Sequence, residues 1–507
     1  MDEKNPHNDP NFLNWIGFLT SLILHTLVLL ILALWNISLE SVGRGGIAIT
    51  MEMTDVPLEE LDDFQEEDSV TLETSPETTD ARENLLEEVE EVPVSPTVLT
   101  PDLHDLAPET EDHPEGEEPL HEYDEEVYRT GEAWEPQAAV LPETAGYEGR
   151  TNAEVRSRLL KDGASIDSEA AVRRGLQWIV AHQQADRSQK KTWGCWSFDL
   201  SKAPFCNCTH PGDQTSTTGA TALALLAMLG HGNTREQGEF RQSVKEGLYY
   251  LSTRAIRRKG IPGLDLREGT MYAQALSALA ICEAHAMEGR KDPGLDALAH
   301  GVVEWILWAQ DPHSGGWRYE PREAGDVTVT TWMIMVLKSA RMAGIEIPST
   351  TLVGIERFLN SVASEENVRY SYQVGDNPIR STTAIGLFAR MFTGARQNER
   401  YLKLGTDLIG DWGYSGSDLY YNYYATLLLR HYGGVQWERW NPAMRDYLIA
   451  TQSYQGHESG SWYFNEPDKS HNLTGGRLYT TAMATMILEV YYRYMPIYQP
   501  IGDGLRP

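Results

Sequence analysis

The sequence is poor in cysteine and has no excess of basic residues. Four cysteines among 507 residues are too few for a scaffold held together by disulfides. The chain carries 42 Lys and Arg against 74 Asp and Glu, so it would repel a phosphate backbone. These absences exclude a disulfide-rich domain and make nucleic acid an unsuitable partner.

Charged side chains are also missing between Pro10 and Leu39. The apolar run from Trp15 to Trp35 would span about 30 Å as a helix, the thickness of the hydrocarbon layer of a membrane. Tryptophans at both ends suit the membrane interface. We therefore predict a short tail at 1–11 and a transmembrane anchor at 12–37, with the membrane as a partner. A cleavable signal peptide is the alternative, but no small-x-small cleavage site follows the run.

Two polar residues share one face of the predicted anchor. Ser21 and His25 are four positions apart, which places them on the same side of a helix. Their spacing resembles the Ser-x-x-x-His pattern of TonB-type anchors, which couple to proton-driven motor proteins. The resemblance implies a single-pass protein of a bacterial inner membrane with most of its chain in the periplasm. A neutral histidine packed against another helix remains the alternative.

The acidity of the chain is confined to one segment. Residues 51–150 hold 33 of the acidic and 3 of the basic side chains, whereas 151–507 hold 37 of each. Such a segment is too polar to offset its ordering entropy, and it repels itself. We predict a disordered acidic linker at 38–150 and a folded domain at 151–507 without net charge.

From Ser168 onward a unit of two helices recurs six times. Each unit has a first helix, a loop with glycine, and a second helix that opens with Thr, Ser or Tyr. First helices are predicted around Gly175, Gly247, Gly301, Gly354, Gly405 and Ala443, and second helices from Thr217, Met271, Thr330, Thr382, Tyr420 and Tyr479. The second helices are rich in small residues and suit an inner wall. We predict an all-α fold, an (α/α)₆ toroid.

Three of the loops share a finer pattern. Gln183 or Gln184 precedes Gly194-Cys195-Trp196, Gln310 precedes Gly315-Gly316-Trp317, and Gln452 precedes Gly460-Ser461-Trp462. These segments resemble the Gln…Gly-x-Trp repeats of squalene cyclases and their relatives, the terpenoid cyclase and protein prenyltransferase toroids. The resemblance covers about 168–495 and implies the fold more than the activity.

The resemblance also identifies one candidate catalytic residue. In class II terpene cyclases an Asp-x-Asp-Asp motif precedes an inner helix, and its middle Asp protonates an alkene or epoxide. Asp326 matches the first Asp, but Thr328 and Val329 stand at the second and third. Ordinary class II cyclisation is therefore not expected. Asp326 alternatively caps the following helix.

Aromatic and polar residues near the starts of the second helices are predicted to converge on one mouth of the toroid. Aromatic walls suit an isoprenoid, a cation or a sugar face. The predicted ligand-pocket residues are Trp317, Arg318, Tyr319, Glu320, Trp332, Tyr420, Tyr421, Tyr424, Trp462 and Tyr479. Ordinary core packing is the alternative for about half of them.

A cluster of potential metal ligands lies in the first unit. Cys195, Cys206, Cys208 and His210 fall within 16 positions. Three thiolates and an imidazole could hold a structural zinc. A disulfide from Cys195 to Cys206 or Cys208, or free thiols, would also fit, and we favour the disulfide over the metal. No other cofactor is predicted, because Cys282 and His285 lack the third ligand of a prenyltransferase zinc site.

Two classes of function follow from these patterns. The first is a toroid that binds an apolar or isoprenoid-like ligand, or an envelope protein, without class II cyclase chemistry. The alternatives are enzymes. One is a terpenoid isomerase or transferase with a relocated acid such as Glu320 or Asp376. The other is a sugar-processing (α/α)₆ enzyme that uses carboxylates among Asp326, Glu320 and Asp418.

Overall fold

Helices form nearly all the regular structure of the residues that the structure describes. The computed structural model describes residues 146–184, 186, 188–189, 191–203, 205–465, 471–495 and 497. Fifteen α-helices lie in these described residues. Three are short and lie outside the six repeated units: α1 (Glu148–Thr151), α2 (Ala153–Leu159) and α15 (Val490–Arg493).

The other twelve helices alternate between an outer and an inner layer. The outer helices are α3 (Ile166–Ala181), α5 (Arg241–Arg254), α7 (Pro293–Ala309), α9 (Ser349–Ser361), α11 (Arg400–Trp412) and α13 (Gly434–Thr451). The inner helices are α4 (Thr217–Gly230), α6 (Met271–Met287), α8 (Val327–Met342), α10 (Arg380–Phe392), α12 (Leu419–Tyr432) and α14 (His471–Leu488). Each predicted helix is present.

The inner helices close into a ring. Each packs against the next in chain order, and α14 packs against α4. An open solenoid would leave those two helices apart, so the predicted all-α toroid is confirmed. Thirteen of the fourteen residues of α4 are buried, as expected of a helix that faces protein on all sides.

Polar caps set the starts of the inner helices. The side chains of Ser216, Thr270, Asp326 and Asp418 accept hydrogen bonds from backbone N–H groups in the first turns of α4, α6, α8 and α12. These groups would otherwise lack partners. In α14 the backbone is non-helical at Gly476, so regular helix resumes close to the predicted start at Tyr479.

Short elements occupy the loops. In the described part of the chain the one sheet is a pair of two-residue antiparallel strands, β1 (Ala363–Ser364) and β2 (Arg369–Tyr370), between α9 and α10. Single 3₁₀ turns lie at Leu160–Asp162, Leu200–Lys202 and Gly456–Glu458. None of these elements interrupts the two helical layers.

The Gln…Gly-x-Trp loops make the same hydrogen bonds three times. In the third unit the Gln310 amide donates to the carbonyls of Gly315 at 2.8 Å and of Thr351 at 3.0 Å. The Trp317 indole donates to a carbonyl of the preceding outer helix at 2.9 Å. Gln183 with Trp196 and Gln452 with Trp462 repeat this arrangement. Each loop therefore connects one outer helix to the next. In the first unit, Gln183 and not Gln184 is the glutamine of the Gln…Gly-x-Trp pattern.

The first glycine of each loop is required by the backbone. Gly194, Gly315 and Gly460 have φ angles of 85°, 83° and 94°, a region that favours glycine. A Cβ at any of them would lie within 2.5 Å of a backbone carbonyl oxygen of the next outer helix. The close approach of the loop to that helix thus depends on the missing side chain.

The predicted membrane location is wrong, because the structure contradicts it. Within residues 146–497, as far as they are described, no helix is long and apolar enough to cross a membrane. Inner helices α4 and α6 have 14 and 17 residues, short of the roughly 20 that a span needs. The predicted anchor at 12–37, with Ser21 and His25, lies outside the described residues.

Buried residues occur at the end of the predicted linker. The linker was expected to extend to residue 150, but Tyr147 and Arg150 are 6% and 5% exposed. The reason is a buried ion pair, because Arg150 contacts Glu283 of α6 at 2.7 Å. The remainder of the predicted linker, 38–145, lies outside the described residues.

Candidate functional site

Asp326 lies at the centre of the predicted mouth, at the start of α8. It is fully buried. Its Oδ1 accepts hydrogen bonds from the backbone N–H groups of Thr328 and Val329, both at 2.8 Å, and from the Thr328 hydroxyl at 2.6 Å. Its Oδ2 is buried without a hydrogen-bond partner. Asp326 therefore caps the helix and also presents one unpaired carboxyl oxygen.

Burial controls the acidity of this carboxyl group. Loss of hydration raises the pKa of Asp326 to about 6, although the hydrogen bonds from Thr328 and Val329 and the charge of Arg318 act in the opposite direction. Burial disfavours the charged form because the protein solvates it less well than water does. Asp326 is consequently a weaker acid than an exposed aspartic acid.

A chain of hydroxyl groups extends from Asp326 to the neighbouring inner helix. The hydroxyl of Tyr272, on α6, lies 2.7 Å from the Thr328 hydroxyl. Thr328 uses its only hydroxyl hydrogen on Asp326, so Tyr272 must donate to Thr328. The chain therefore runs from Tyr272 through Thr328 to Asp326 and fixes the orientation of all three side chains.

Aromatic rings form the side of the mouth opposite α6. The Trp332 indole, one turn along α8, donates to the Tyr420 hydroxyl of α12 at 2.9 Å. The rings of Tyr420 and Tyr424 meet edge to face, with centroids 5.1 Å apart. Tyr423 stacks on Trp332 at 5.9 Å. The inner face of α12 is thus aromatic over its first two turns.

Two loops supply the rim. Tyr319 lies 6.4 Å from Tyr272 between ring centroids, and its hydroxyl pairs with the hydroxyl of Tyr372. The Arg318 guanidinium lies over the Tyr319 ring at 4.8 Å and pairs with Glu323 at 2.7 Å. Glu320 is exposed and pairs with Arg267 at 2.6 Å. Polar contacts therefore surround a half-buried group of tyrosines.

Several predicted pocket residues are placed elsewhere. Trp317 and Trp462 are fully buried inside the repeat loops, where their indoles bond to backbone carbonyls. Tyr421 donates to the carbonyl of Gly413 at 3.0 Å and packs against Trp440 of α13. Its position next to Tyr420 turns it toward the outer layer. Tyr479 is buried on α14.

Two residues near Asp326, Tyr272 and Tyr372, were not predicted from the sequence. Tyr272 stands two positions after its helix cap, as Thr328 and Tyr420 do, and alignment of the caps could have revealed it. No sequence pattern of this kind marks Tyr372. It lies in an irregular segment, and its position depends on a hydrogen bond from the Val327 N–H to its carbonyl at 3.0 Å.

The predicted cysteine cluster is not the one that forms. All four cysteines are free thiols, so the favoured disulfide is absent. Cys195 is buried among Tyr250, Glu268 and Arg254, and burial raises its pKa to about 12. His210 stacks on Tyr463 with centroids 3.9 Å apart. Cys206 and Cys208 instead meet two histidines from other segments.

No family profile and no curated protein sequence matches this chain. Among solved structures, variants of the type II terpene cyclase MstE from Scytonema are similar to it. One, bound to geranylgeranyl dihydroxybenzoate, has 12% identity, covers 64% of this chain and 97% of its own, and gives a TM-score of 0.42. A protein from Actinoplanes has 12% identity, covers 64% and 99%, and gives 0.38. These identities and TM-scores are low, and the closed ring is established by the helix contacts of this chain.

Proposed function

We propose that the toroid binds an apolar, isoprenoid-like small molecule at its aromatic mouth and does not carry out ordinary class II cyclisation. The observation that carries the proposal is the convergence of Tyr272, Trp332 and Tyr420, from three different inner helices, around the buried carboxyl of Asp326. Aromatic faces with a few placed polar groups are typical of sites for apolar ligands.

The acid at this mouth is unsuited to protonating an alkene. Burial raises the pKa of Asp326 to about 6, so the carboxyl is mostly ionised at neutral pH. Thr328 and Val329 replace the other two acids of the cyclase motif. Ligand binding is therefore a better match for this site than proton-initiated cyclisation.

The carboxylates predicted for the two enzymatic alternatives are not placed to support either activity. Glu320 and Asp376 are exposed, and Glu320 is ion-paired with Arg267. Asp418 is bound to the first turn of α12 through the Tyr421 N–H at 2.8 Å. A relocated acid or a glycosidase pair would require carboxylates that face Asp326 or each other across a cavity.

A ligand-binding comparison on one helix tests the proposal. Tyr420 faces the mouth, whereas its neighbour Tyr421 faces Trp440 in the outer layer. We expect Tyr420→Ala to weaken binding of radiolabelled squalene or shorter isoprenoid alcohols about tenfold or more, because a buried aromatic contact is lost. Tyr421→Ala is the matched control and should retain the affinity, once both variants are shown to be folded.

Two results would count against this function. Wild-type protein that binds none of these compounds, and yields none by mass spectrometry of its extracted small molecules, would favour a scaffold that binds a protein partner. Formation of cyclised product from squalene would show that Asp326 or another acid is competent for the chemistry excluded above.

A further inference from the structure

Two cysteines and two histidines meet where the ring closes. His182 follows the first outer helix, Cys206 and Cys208 lie in the loop before α4, and His457 lies in the turn Gly456–Glu458 between α13 and α14. Their four ligand atoms all lie within 4.8 Å of one another. The group therefore bridges the first and last repeated units, at the seam formed by α4 and α14.

Two spacings within this group match a tetrahedral metal site. The Cys208 Sγ lies 3.4 Å from the His182 Nε2 and 3.2 Å from the His457 Nδ1. Tetrahedral zinc, with bonds of about 2.3 Å to sulfur and about 2.0–2.1 Å to nitrogen, separates such atoms by about 3.5 Å. Only small adjustments would be needed to place an ion between them.

Trp178 of α3 orients both histidines. Its carbonyl lies 2.7 Å from the His182 Nδ1, so that nitrogen carries the hydrogen and the Nε2 lone pair faces Cys208. Its indole donates to the His457 carbonyl at 3.1 Å. A backbone acceptor on the second ring nitrogen is a common feature of metal-binding histidines. His182 is only 2% exposed, which makes its orientation rigid.

Separate contacts hold the two loops together. The N–H and hydroxyl of Thr209 donate to Glu458 at 2.7 and 2.6 Å. Arg477 pairs with Glu458 at 2.9 Å and donates to the Thr209 carbonyl at 3.1 Å. The residues that follow Cys208 and His457 are therefore fixed by contacts independent of the cluster itself.

We propose that His182, Cys206, Cys208 and His457 bind one zinc ion, which clips the last repeat to the first. Two thiolates and two imidazoles suit a soft divalent cation, and their protons are released to solvent on binding. Four protein ligands leave no position for water or substrate, as in structural sites. Cys208 and His457 are 249 positions apart. A metal ion that links residues so far apart would reduce the conformational entropy of the unfolded chain and so stabilise the folded state.

Metal analysis of the purified full chain tests this site. We expect an equimolar amount of zinc in protein prepared without chelator, and its loss in Cys208→Ser and in His457→Ala. The second variant replaces an exposed side chain, so it keeps the test valid if Cys208→Ser misfolds. Cys195→Ser and His210→Ala remove the two sequence-predicted ligands that lie outside this cluster. They are the matched controls and should retain the zinc.

Stability and spectroscopy give independent readouts. Removal of zinc by a chelator should lower the Tm, and added zinc should restore it. Cobalt substitution should give the absorption of a tetrahedral site with thiolate ligands. The proposal is overturned if wild-type protein dialysed against zinc stays metal-free, if Cys206 and Cys208 prove to be disulfide-bonded, or if both ligand variants keep their zinc.

Discussion

Asp326 shows how a single residue combines a structural bond with an unusual acidity. One carboxyl oxygen caps α8, and the other is buried without a partner. Its folded-state pKa of about 6 exceeds the value of about 3.9 expected in the unfolded chain. The folded state thus binds the proton more tightly, and the contribution of Asp326 to stability falls as the pH rises from about 4 to about 6.

Asp326→Asn is expected to abolish this pH dependence. Asparagine keeps the capping oxygen but carries no charge. The unfolding free energy of the variant relative to wild type should therefore increase by about 2 kcal/mol between pH 4 and pH 7. Urea unfolding at several pH values measures it, and parallel curves for the two proteins would contradict it.

Asp292 provides a control of opposite sign. It also caps a helix, but there the backbone N–H groups and Arg235 outweigh the effect of burial and lower its pKa. Its carboxylate contributes stability that is lost as the pH falls. Asp292→Asn should consequently lose stability relative to wild type as the pH rises from acidic to neutral values.

At the scale of elements, the repeat loops hold neighbouring outer helices together. The Gln183 amide donates to the carbonyls of Gly194 and Ser243, both at 3.0 Å, and is 5% exposed. Its neighbour Gln184 donates to the carbonyl of Lys202 and is more exposed. The sequence left open which of the two belongs to the repeat.

Alanine variants distinguish the two glutamines. Gln183→Ala should reduce the unfolding free energy by about 2 kcal/mol, because two buried carbonyls lose their donors. Gln184→Ala should cost less, since water can replace its single bond. Denaturant unfolding of both proteins is the measurement, and an equal loss in the two variants would show that the repeat pattern does not stabilise the ring.

At the scale of the whole molecule, a buried ion network joins the two ends of the domain. Glu283 of α6 pairs with Arg150 of α1 at 2.7 Å and with Arg493 of α15 at 3.8 Å, and none of the three side chains is exposed. Burial raises the pKa of Glu283, but the two arginines outweigh it and the net pKa is lowered. The network explains why Arg150, in the predicted linker, is buried.

Loss of this carboxylate should destabilise the entire ring. Glu283→Gln leaves the buried Arg150 guanidinium without its carboxylate partner, whereas Arg493 keeps Glu489 at 3.2 Å. Breaking a buried ion pair typically costs about 3–5 kcal/mol. Asp407→Asn, which removes an exposed partner of Lys403, is the control and should change the unfolding free energy little. A small effect of Glu283→Gln in thermal and urea unfolding would show that the network contributes little.

The helices and their layers could be predicted from local sequence. The helices predicted to begin at Thr217 and Met271 begin there in the structure. These starts were predictable because a polar cap and the helical spacing of apolar residues are both local features of the sequence. The Gln…Gly-x-Trp pattern was equally visible, since its bonds join residues close in sequence or in adjacent repeats. The candidate acid Asp326 came from the resemblance of its segment to the Asp-x-Asp-Asp motif of class II cyclases.

Only the tertiary structure decided which side chains meet. Tyr420 and Tyr421 are adjacent in sequence, yet the rotation of α12 sends one to the mouth and the other to the outer layer. Cys208 meets His182 and His457 instead of Cys195 and His210, because closure of the ring brings together segments 249 positions apart. The sequence determined the repeating unit through local periodicity, whereas the sites lie where distant units come into contact, and no local pattern records that contact.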